Sequence, residues 1–316
     1  MKHPFAAAAL AALLAGPAGA VTVAERYSSF IVFGDSLSDP GNLYAATGGA
    51  VPQSPPYYAG RFSDGPVWAE TLGAKFAAEG KPVANYAFGG AKAVKADDFP
   101  FDIPDLADEL GLFALSPMPA ALGPEPLAAL WFGGNDLFKA QDDGGAALIA
   151  AAEAAADAVA DAAQSLFRFY GIADILLVNL GDVGATPAYA RTSLEADMTA
   201  ATLAYNARLA ANADLLRLSG LEVTLFDSYA LGKRIADDPA AYGITNATDA
   251  CFDGVTVCAD PTAYAFFDGV HPSSTAHNIL AARIEAALPV PVPAAGGMLL
   301  LGLGALAAAG ARRKAA

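Results

Sequence analysis

Cysteine, histidine and basic charge are all scarce in this sequence, and each shortage narrows what the chain can be. Its 316 residues hold two cysteines and three histidines. Two cysteines are too few for a disulfide-framed mini-protein or a four-cysteine zinc site. They are Cys251 and Cys258, with no histidine between them. In an oxidising compartment such a pair reads as one local disulfide, closing a loop through Asp253 and Gly254. Lysine and arginine number 18 against 33 aspartates and glutamates, a formal charge of −15. Four of those bases (Lys2, Arg312, Arg313 and Lys314) lie near the termini, leaving 14 against all 33 acids in the body between. Too little positive charge is present to neutralise phosphates, which excludes a nucleic-acid partner. No Gly-x-Gly-x-x-Gly or Walker-type lysine pattern follows the first strand-like run. Glycine turns in this chain therefore do not read as phosphate loops for a nucleotide or flavin.

The ends carry apolar stretches instead. Lys2 and His3 precede an apolar run from Phe5 to Leu14, and Gly16-Pro17-Ala18-Gly19-Ala20 closes it in small residues. That order predicts a secretory signal peptide over residues 1–20 and a mature chain from Val21. Towards the other end, Ala294–Ala311 carries no charge and is followed by Arg312-Arg313-Lys314. A run of that length predicts a transmembrane segment, with the membrane as its partner and the basic cluster on the cytoplasmic side. Residues 289–316 are read as this terminal segment and residues 21–288 as one exported folded domain.

Within that domain five short apolar runs recur: Ser29–Phe33, Pro82–Phe88, Leu127–Phe132, Asp174–Leu180 and Leu221–Phe226. Nearly continuous apolar runs of this length predict strands buried on both faces. Alanine-rich segments of helical character lie between them, clearest at Ala146–Tyr170 and Ser193–Ser219, and a last helix is predicted over Ser274–Leu288. Alternation of this kind implies an α/β fold, a parallel sheet covered by helices on both sides. Three long excursions, Pro40–Pro66, Ala91–Pro126 and Tyr229–Val270, read as loops that build a crevice.

Chemistry concentrates where the runs end. Phe33-Gly34-Asp35-Ser36-Leu37-Ser38 places Ser36 in a glycine turn after the first strand, where a nucleophile is held exposed. A helix-capping serine has the same local pattern. His3 leaves with the signal peptide, so a base must be His271 or His277. His271 has Asp268 three residues before it, a spacing that lets a carboxylate fix the imidazole tautomer. His277 has no carboxylate beside it in sequence and reads as a surface or capping histidine. Asn85-Tyr86-Ala87-Phe88-Gly89-Gly90-Ala91 and Gly133-Gly134-Asn135-Asp136 offer backbone and side-chain donors for a developing oxyanion.

These blocks resemble those of the GDSL-type, or SGNH, hydrolases of the esterase and lipase group. Gly34-Asp35-Ser36-Leu37 is the namesake block, continued here as Ser38-Asp39-Pro40-Gly41-Asn42. Asp268 and His271 match the terminal Asp-x-x-His pair, and Gly184-Ala185-Thr186-Pro187 is similar to a further, less diagnostic segment. The blocks occur in the family's order between about residues 29 and 288. The resemblance implies a three-layer α/β/α fold with a five-stranded parallel sheet, and cofactor-free, metal-independent hydrolysis of acyl esters. It implies Ser36, Asp268 and His271 as catalytic residues. It also implies an oxyanion hole of the Ser36 and Gly90 N–H groups with the Asn135 amide, Gly89 being the neighbouring candidate for the second position. Val290-Pro291-Val292-Pro293-Ala294 with the apolar run and arginine cluster resembles Gram-negative C-terminal sorting signals, which implies a sorting peptidase as partner and display at the cell surface.

The substrate stays open at this level. A small acyl ester, a lipid and an acetylated surface glycan all fit, and the loop Pro52–Phe62, with Tyr57, Tyr58 and Phe62, offers either an acyl pocket, a sugar platform or plain loop packing. A binding module that keeps the fold without activity has no need of the full residue set.

Overall fold

The computed structural model describes residues 22–96 and 102–290. Two compact units are distinguished: Tyr27–Leu288, and the terminal segments Met1–Arg26 with Pro289–Ala316. Of the terminal unit, a single helical turn at Val23–Arg26 is described. The signal segment 1–20 and the apolar run Ala294–Ala311 lie outside the described residues. Among the described residues, no helix is long and apolar enough to cross a membrane.

Five strands form one parallel sheet: β1 (Ser29–Gly34), β2 (Val83–Asn85), β3 (Pro126–Trp131), β4 (Asp174–Val178) and β5 (Glu222–Phe226). Their order is β2-β1-β3-β4-β5. The chain steps outward from β1 to β2, then crosses back to β3 and continues the other way. Strand order thus reverses beside β1, where open α/β sheets place their ligands. Every residue of β1, β3 and β4 is buried, as their uninterrupted apolar runs require. Alternate side chains of β1 feed two layers. Phe33 meets Tyr86 and Phe113, while Phe30 meets Trp68 and Phe76.

Among the described residues of this unit the helices are α1 (Asn42–Ala46), α2 (Trp68–Ala78), α3 (Leu106–Leu115), α4 (Gly134–Ala140), α5 (Gly145–Tyr170), α6 (Glu195–Leu218), α7 (Ser228–Asp237) and α8 (Ser274–Ala287). In α5 the buried residues Leu148, Ala152, Ala155, Ala156, Val159, Ala162, Ala163 and Leu166 recur at helical spacing, so small alanines let it lie close to α6. It stops at Gly171, whose φ of +69° is left-handed. Helices α3, α5 and α6 pack together on one side of the sheet, and α2 and α8 pack together on the other. The result is the three-layer α/β/α fold with a five-stranded parallel sheet.

Boundaries moved in informative places. The second strand ends at Asn85 rather than Phe88, where Asn85 Oδ1 takes the Ala87 N–H, although the Tyr86 and Phe88 N–H groups still reach the Val32 (2.8 Å) and Gly34 (3.0 Å) carbonyls. Two predicted loops hold regular structure. Helix α3 lies inside Ala91–Pro126, and the acidic residues that read as loop cap it: Asp108 accepts the Asp105 N–H. Tyr229–Val270 holds most of α7 and a two-stranded sheet, β6 (Asn246–Ala250) with β7 (Tyr264–Phe266). Cys251 and Cys258 are disulfide-bonded between those two strands.

Candidate active site

β1 ends at Gly34 and the chain turns at once. A Cβ there would lie 3.0 Å from both Ser38 and the Trp131 carbonyl, so only glycine lets the turn close against β3. Asp35 holds the turn: its carbonyl accepts the N–H groups of Ser38 (2.9 Å) and Asp39 (3.1 Å), and its Oδ1 accepts that of Leu37 (3.0 Å). Ser36 sits inside this turn, and its own N–H has no partner among the described residues.

The loop ahead of α8 brings the other side chains to it. His271 Nε2 lies 2.8 Å from Ser36 Oγ, and its Nδ1 lies 2.7 Å from Asp268 Oδ2. Asp268 Oδ1 accepts the N–H groups of Val270 (2.9 Å) and His271 (2.8 Å). Tyr57 adds a donor that sequence reasoning did not assign, its hydroxyl reaching Asp268 Oδ2 at 2.6 Å. Burial works against charge on Asp268, but facing His271 and these hydrogen bonds outweigh it and hold its pKa down at about 2. An ionised Asp268 makes Nδ1 the donor, which leaves Nε2 to accept from Ser36. Burial, reinforced by the bond to Asp268, pushes the Tyr57 phenol well above its usual value.

The donors for an oxyanion are sorted by their commitments. The Gly89 N–H goes to Asp39 Oδ2 at 2.8 Å, whereas the Gly90 N–H has no partner among the described residues. Gly90 takes φ +87°, a conformation that suits only glycine well. Asn135, in the first turn of α4, donates one amide hydrogen to the Ala91 carbonyl at 2.9 Å. Ser36, Asn135 and His271 line one cavity.

Buried carboxylates fasten these loops to one another. Glu109 accepts the N–H of Gly34 (3.0 Å) and of Phe88 (3.2 Å), joining the end of β1 to the segment that follows β2. Asp39 joins Gly89 to Gly41 (2.7 Å) at the start of α1. Asp136 accepts from Ala93 (2.9 Å) and Val94 (3.0 Å), joining α4 to the segment after Gly90. Burial pushes Asp35 up to about 7 and Asp136 up to about 6, and raises Asp39 and, strongly, Glu109. Nothing in the sequence marks Glu109, which lies on a helix far along the chain from the residues it holds.

One expectation needs correction and one open alternative is decided. Of the three readings of the Pro52–Phe62 loop, Tyr57 and Phe62 follow loop packing and do not line the cavity. Phe62 lies against His271, ring centroids 5.1 Å apart, and fills the space a Gly89 side chain would need. Tyr57 packs edge-on against Phe62, Phe252 and Phe267. The loop is thus a wall behind Asp268 and His271. His277 is not on the surface: it is fully buried, and its Nδ1 accepts the Trp68 N–H (3.3 Å) at the start of α2. It caps a helix, but a different one from its own. The Gly184–Pro187 segment also contributes, since the neighbouring Ala188 N–H donates to the Gly269 carbonyl at 2.8 Å and steadies the loop between Asp268 and His271.

A family model described as GDSL-like lipase/acylhydrolase matches residues 30–284, a span that takes in the Ser36 turn, both glycine blocks and the Asp268–His271 loop. The chain belongs to the GDSL-like lipase/acylhydrolase family. Among curated relatives it is 34% identical over 241 residues to the phosphatidylcholine-sterol acyltransferase of Aeromonas hydrophila, covering 72% of this chain and 66% of that one. It is 25% identical over 283 residues to the thermolabile hemolysin of Vibrio parahaemolyticus, covering 82% of this chain and 63% of the relative. The chain thus spans just under two thirds of the length of these relatives. A solved structure from Parabacteroides merdae, described as a GDSL-like lipase, aligns with a TM-score of 0.50 at 12% identity, over 83% of this chain and 95% of that one, and shows the shared fold.

In this GDSL-type site the Tyr57 bond should be measurable. Replacing Tyr57 with Phe keeps the ring contacts and removes one hydrogen bond to a charged carboxylate, worth about 1.5–3 kcal/mol. The expected outcome is a kcat lowered roughly tenfold with KM little changed, read from steady-state hydrolysis of p-nitrophenyl butyrate.

Proposed function

We propose that this protein is a serine hydrolase that cleaves carboxylic acyl esters through an acyl-enzyme intermediate. The observation that carries the reading is the unbroken relay from Ser36 Oγ through His271 to Asp268, beside two backbone N–H groups with no partner among the described residues. His271 Nε2 takes the Ser36 proton as Oγ attacks the ester carbonyl carbon. The oxyanion forms against the N–H groups of Ser36 and Gly90 and the free amide hydrogen of Asn135. His271 then gives its proton to the departing alkoxide, leaving an acyl-serine ester. Water, deprotonated by the same nitrogen, attacks that ester and releases the acid. Asp268 stays ionised throughout and holds the imidazole tautomer. No step calls for a metal or cofactor.

A fluorophosphonate probe tests the reading: labelling should map to the peptide containing Ser36 and be blocked by a competing ester. Folded protein that takes up no probe would contradict it. Asn135→Ala is expected to lower kcat by about 10²–10³-fold with KM nearly unchanged, because the lost donor acts mainly on the transition state. Asn135→Asp, equal in size but without the N–H, should do no better.

We further propose that residues 1–20 are a signal peptide, that 21–288 form the catalytic domain, and that 289–316 are a sorting and membrane segment. The enzyme then works in the periplasm, at the cell surface or outside a Gram-negative cell. The order of charge, apolar run and small residues at Lys2–Ala20 supports this, as does the apolar run before Arg312. The Cys251–Cys258 bond supports it too, since disulfides persist in oxidising compartments. Intact-mass analysis of the protein from a fractionated native host checks it. A mature chain starting near Val21 is expected, and a cytosolic chain retaining Met1 would overturn it.

A further inference from the structure

The cavity that opens at Ser36, Asn135 and His271 has a volume of about 350 Å³, inside the range of small-ligand sites. From the reacting atoms it runs past the carboxyl ends of β3 and β4 to α7 and α8. Its walls there are Trp131, Leu180, Val183, Leu231, Ile235 and Leu280. All six are buried. The charged groups at its margin have other partners: Asp182 takes the Thr199 hydroxyl (2.7 Å), Lys233 pairs with Asp237 (3.1 Å), and Asp35 accepts from Leu37. A sugar ring entering this space would bring hydroxyls against leucine, valine and isoleucine without hydrogen bonds, at a cost for each. An alkyl chain loses nothing there and gains from leaving water.

Size narrows the ligand further. At roughly 30 Å³ for each water- or methylene-sized group, the cavity holds about a dozen heavy atoms. The two halves of an ester also make different demands. The alcohol must leave and water must enter before the second step, while the acyl chain stays tethered to Ser36 and is buried throughout. We propose that the cavity takes the acyl chain, so that the enzyme selects medium-chain acyl esters of about eight to twelve carbons over acetyl esters. Ile235 on α7 and Leu280 on α8, both bulky wall residues away from Ser36 in the chain, are assigned the length limit. This rests on Ser36 being the acylated residue.

Two ester series separate the outcomes. In the first, p-nitrophenyl esters run from acetate to palmitate, varying the acyl chain. In the second, acetate esters run from ethanol to decanol, varying the alcohol. Each buried methylene is worth up to roughly fourfold, so kcat/KM in the first series should rise at least about tenfold from acetate to octanoate. It should then decline beyond about twelve carbons, where the chain outgrows the space. The second series should be nearly flat. Ile235→Trp should lower the ratio of decanoate to acetate turnover at least about tenfold by filling part of the cavity. The wild-type series decides the matter even where that variant folds poorly. Acetate as the best acyl group, as a deacetylase of glycans requires, overturns the proposal, and so does a length preference that follows the alcohol. Fluorophosphonate labelling of Ser36 is run alongside: labelled enzyme with a flat acyl profile sinks the cavity assignment alone, whereas folded, unlabelled, inert protein sinks the hydrolase reading with it.

Discussion

Ser36→Ala is expected to lower kcat for p-nitrophenyl butyrate by at least about 10⁴-fold while leaving the fold and thermal midpoint almost unchanged. The substitution removes one oxygen from a turn whose geometry is held by Asp35, not by Ser36. Its structural cost is therefore small and its chemical cost complete, because among the described residues Ser36 Oγ is the group hydrogen-bonded to His271 Nε2. Ser36 and His271 form one relay, so their losses should not add: the Ser36→Ala, His271→Ala double variant should be about as slow as either single one. A residual rate above the uncatalysed reaction is expected from the oxyanion donors, which both variants retain. Multiplicative losses, or Ser36→Ala activity near wild type, would remove Ser36 from the mechanism.

The second large effect concerns stability and pH, and it centres on His277. Burial, with a smaller contribution from facing His271, pushes its pKa down to about 3. The folded state keeps this imidazole neutral while the unfolded chain binds a proton below about 6.5. Stability from this group is thus full above pH 6.5 and is lost as pH falls towards 3, amounting to about 5 kcal/mol over the whole interval. Other buried groups slope the opposite way: Asp35 and Asp136 have raised pKa values, so their contribution is present at low pH and lost as pH rises through about 7 and about 6. The bare stability curve therefore mixes the two. The difference between wild type and His277→Asn isolates one group, since asparagine keeps an acceptor for the Trp68 N–H but does not titrate. Urea titrations should show wild type losing about 2 kcal/mol relative to the variant between pH 6.5 and pH 4.5. Parallel curves would mean that His277 is not held neutral by the fold.

His277 also marks where reading a sequence stops. With no carboxylate near it in the chain, it reads as a surface or capping histidine, and sequence alone does not show that it is buried. Burial is a property of what packs around a side chain, and here that is α2, contributed by residues some two hundred positions away. Glu109 is hidden in the same manner. It reads as one more acid in an acidic chain, yet it accepts the backbone of both Gly34 and Phe88. Tyr57 was visible as an aromatic in a proline-rich loop, and its partner Asp268 was visible as well. The bond between them joins segments 211 residues apart, which no local pattern encodes. A carboxylate distant in sequence, Asp39, likewise claims the Gly89 N–H and leaves that of Gly90 without a partner among the described residues.

What the sequence by itself determined is everything that depends on short range and on counting. Apolar runs of strand length separated by helical alanine segments specify a parallel α/β sheet, because such strands must be buried on both faces. Gly34 before Ser36 specifies a turn, and the small number of histidines leaves few candidates for a base. Only the tertiary structure decided which groups meet: that Ser36, at the end of the first strand, faces His271, before the last helix, and that an apolar cavity opens beside them. The physical reason is that hydrogen bonds and burial act through space. Ser36 entered as a serine in a glycine turn, and the fold supplied the partner and the cavity that give it a role.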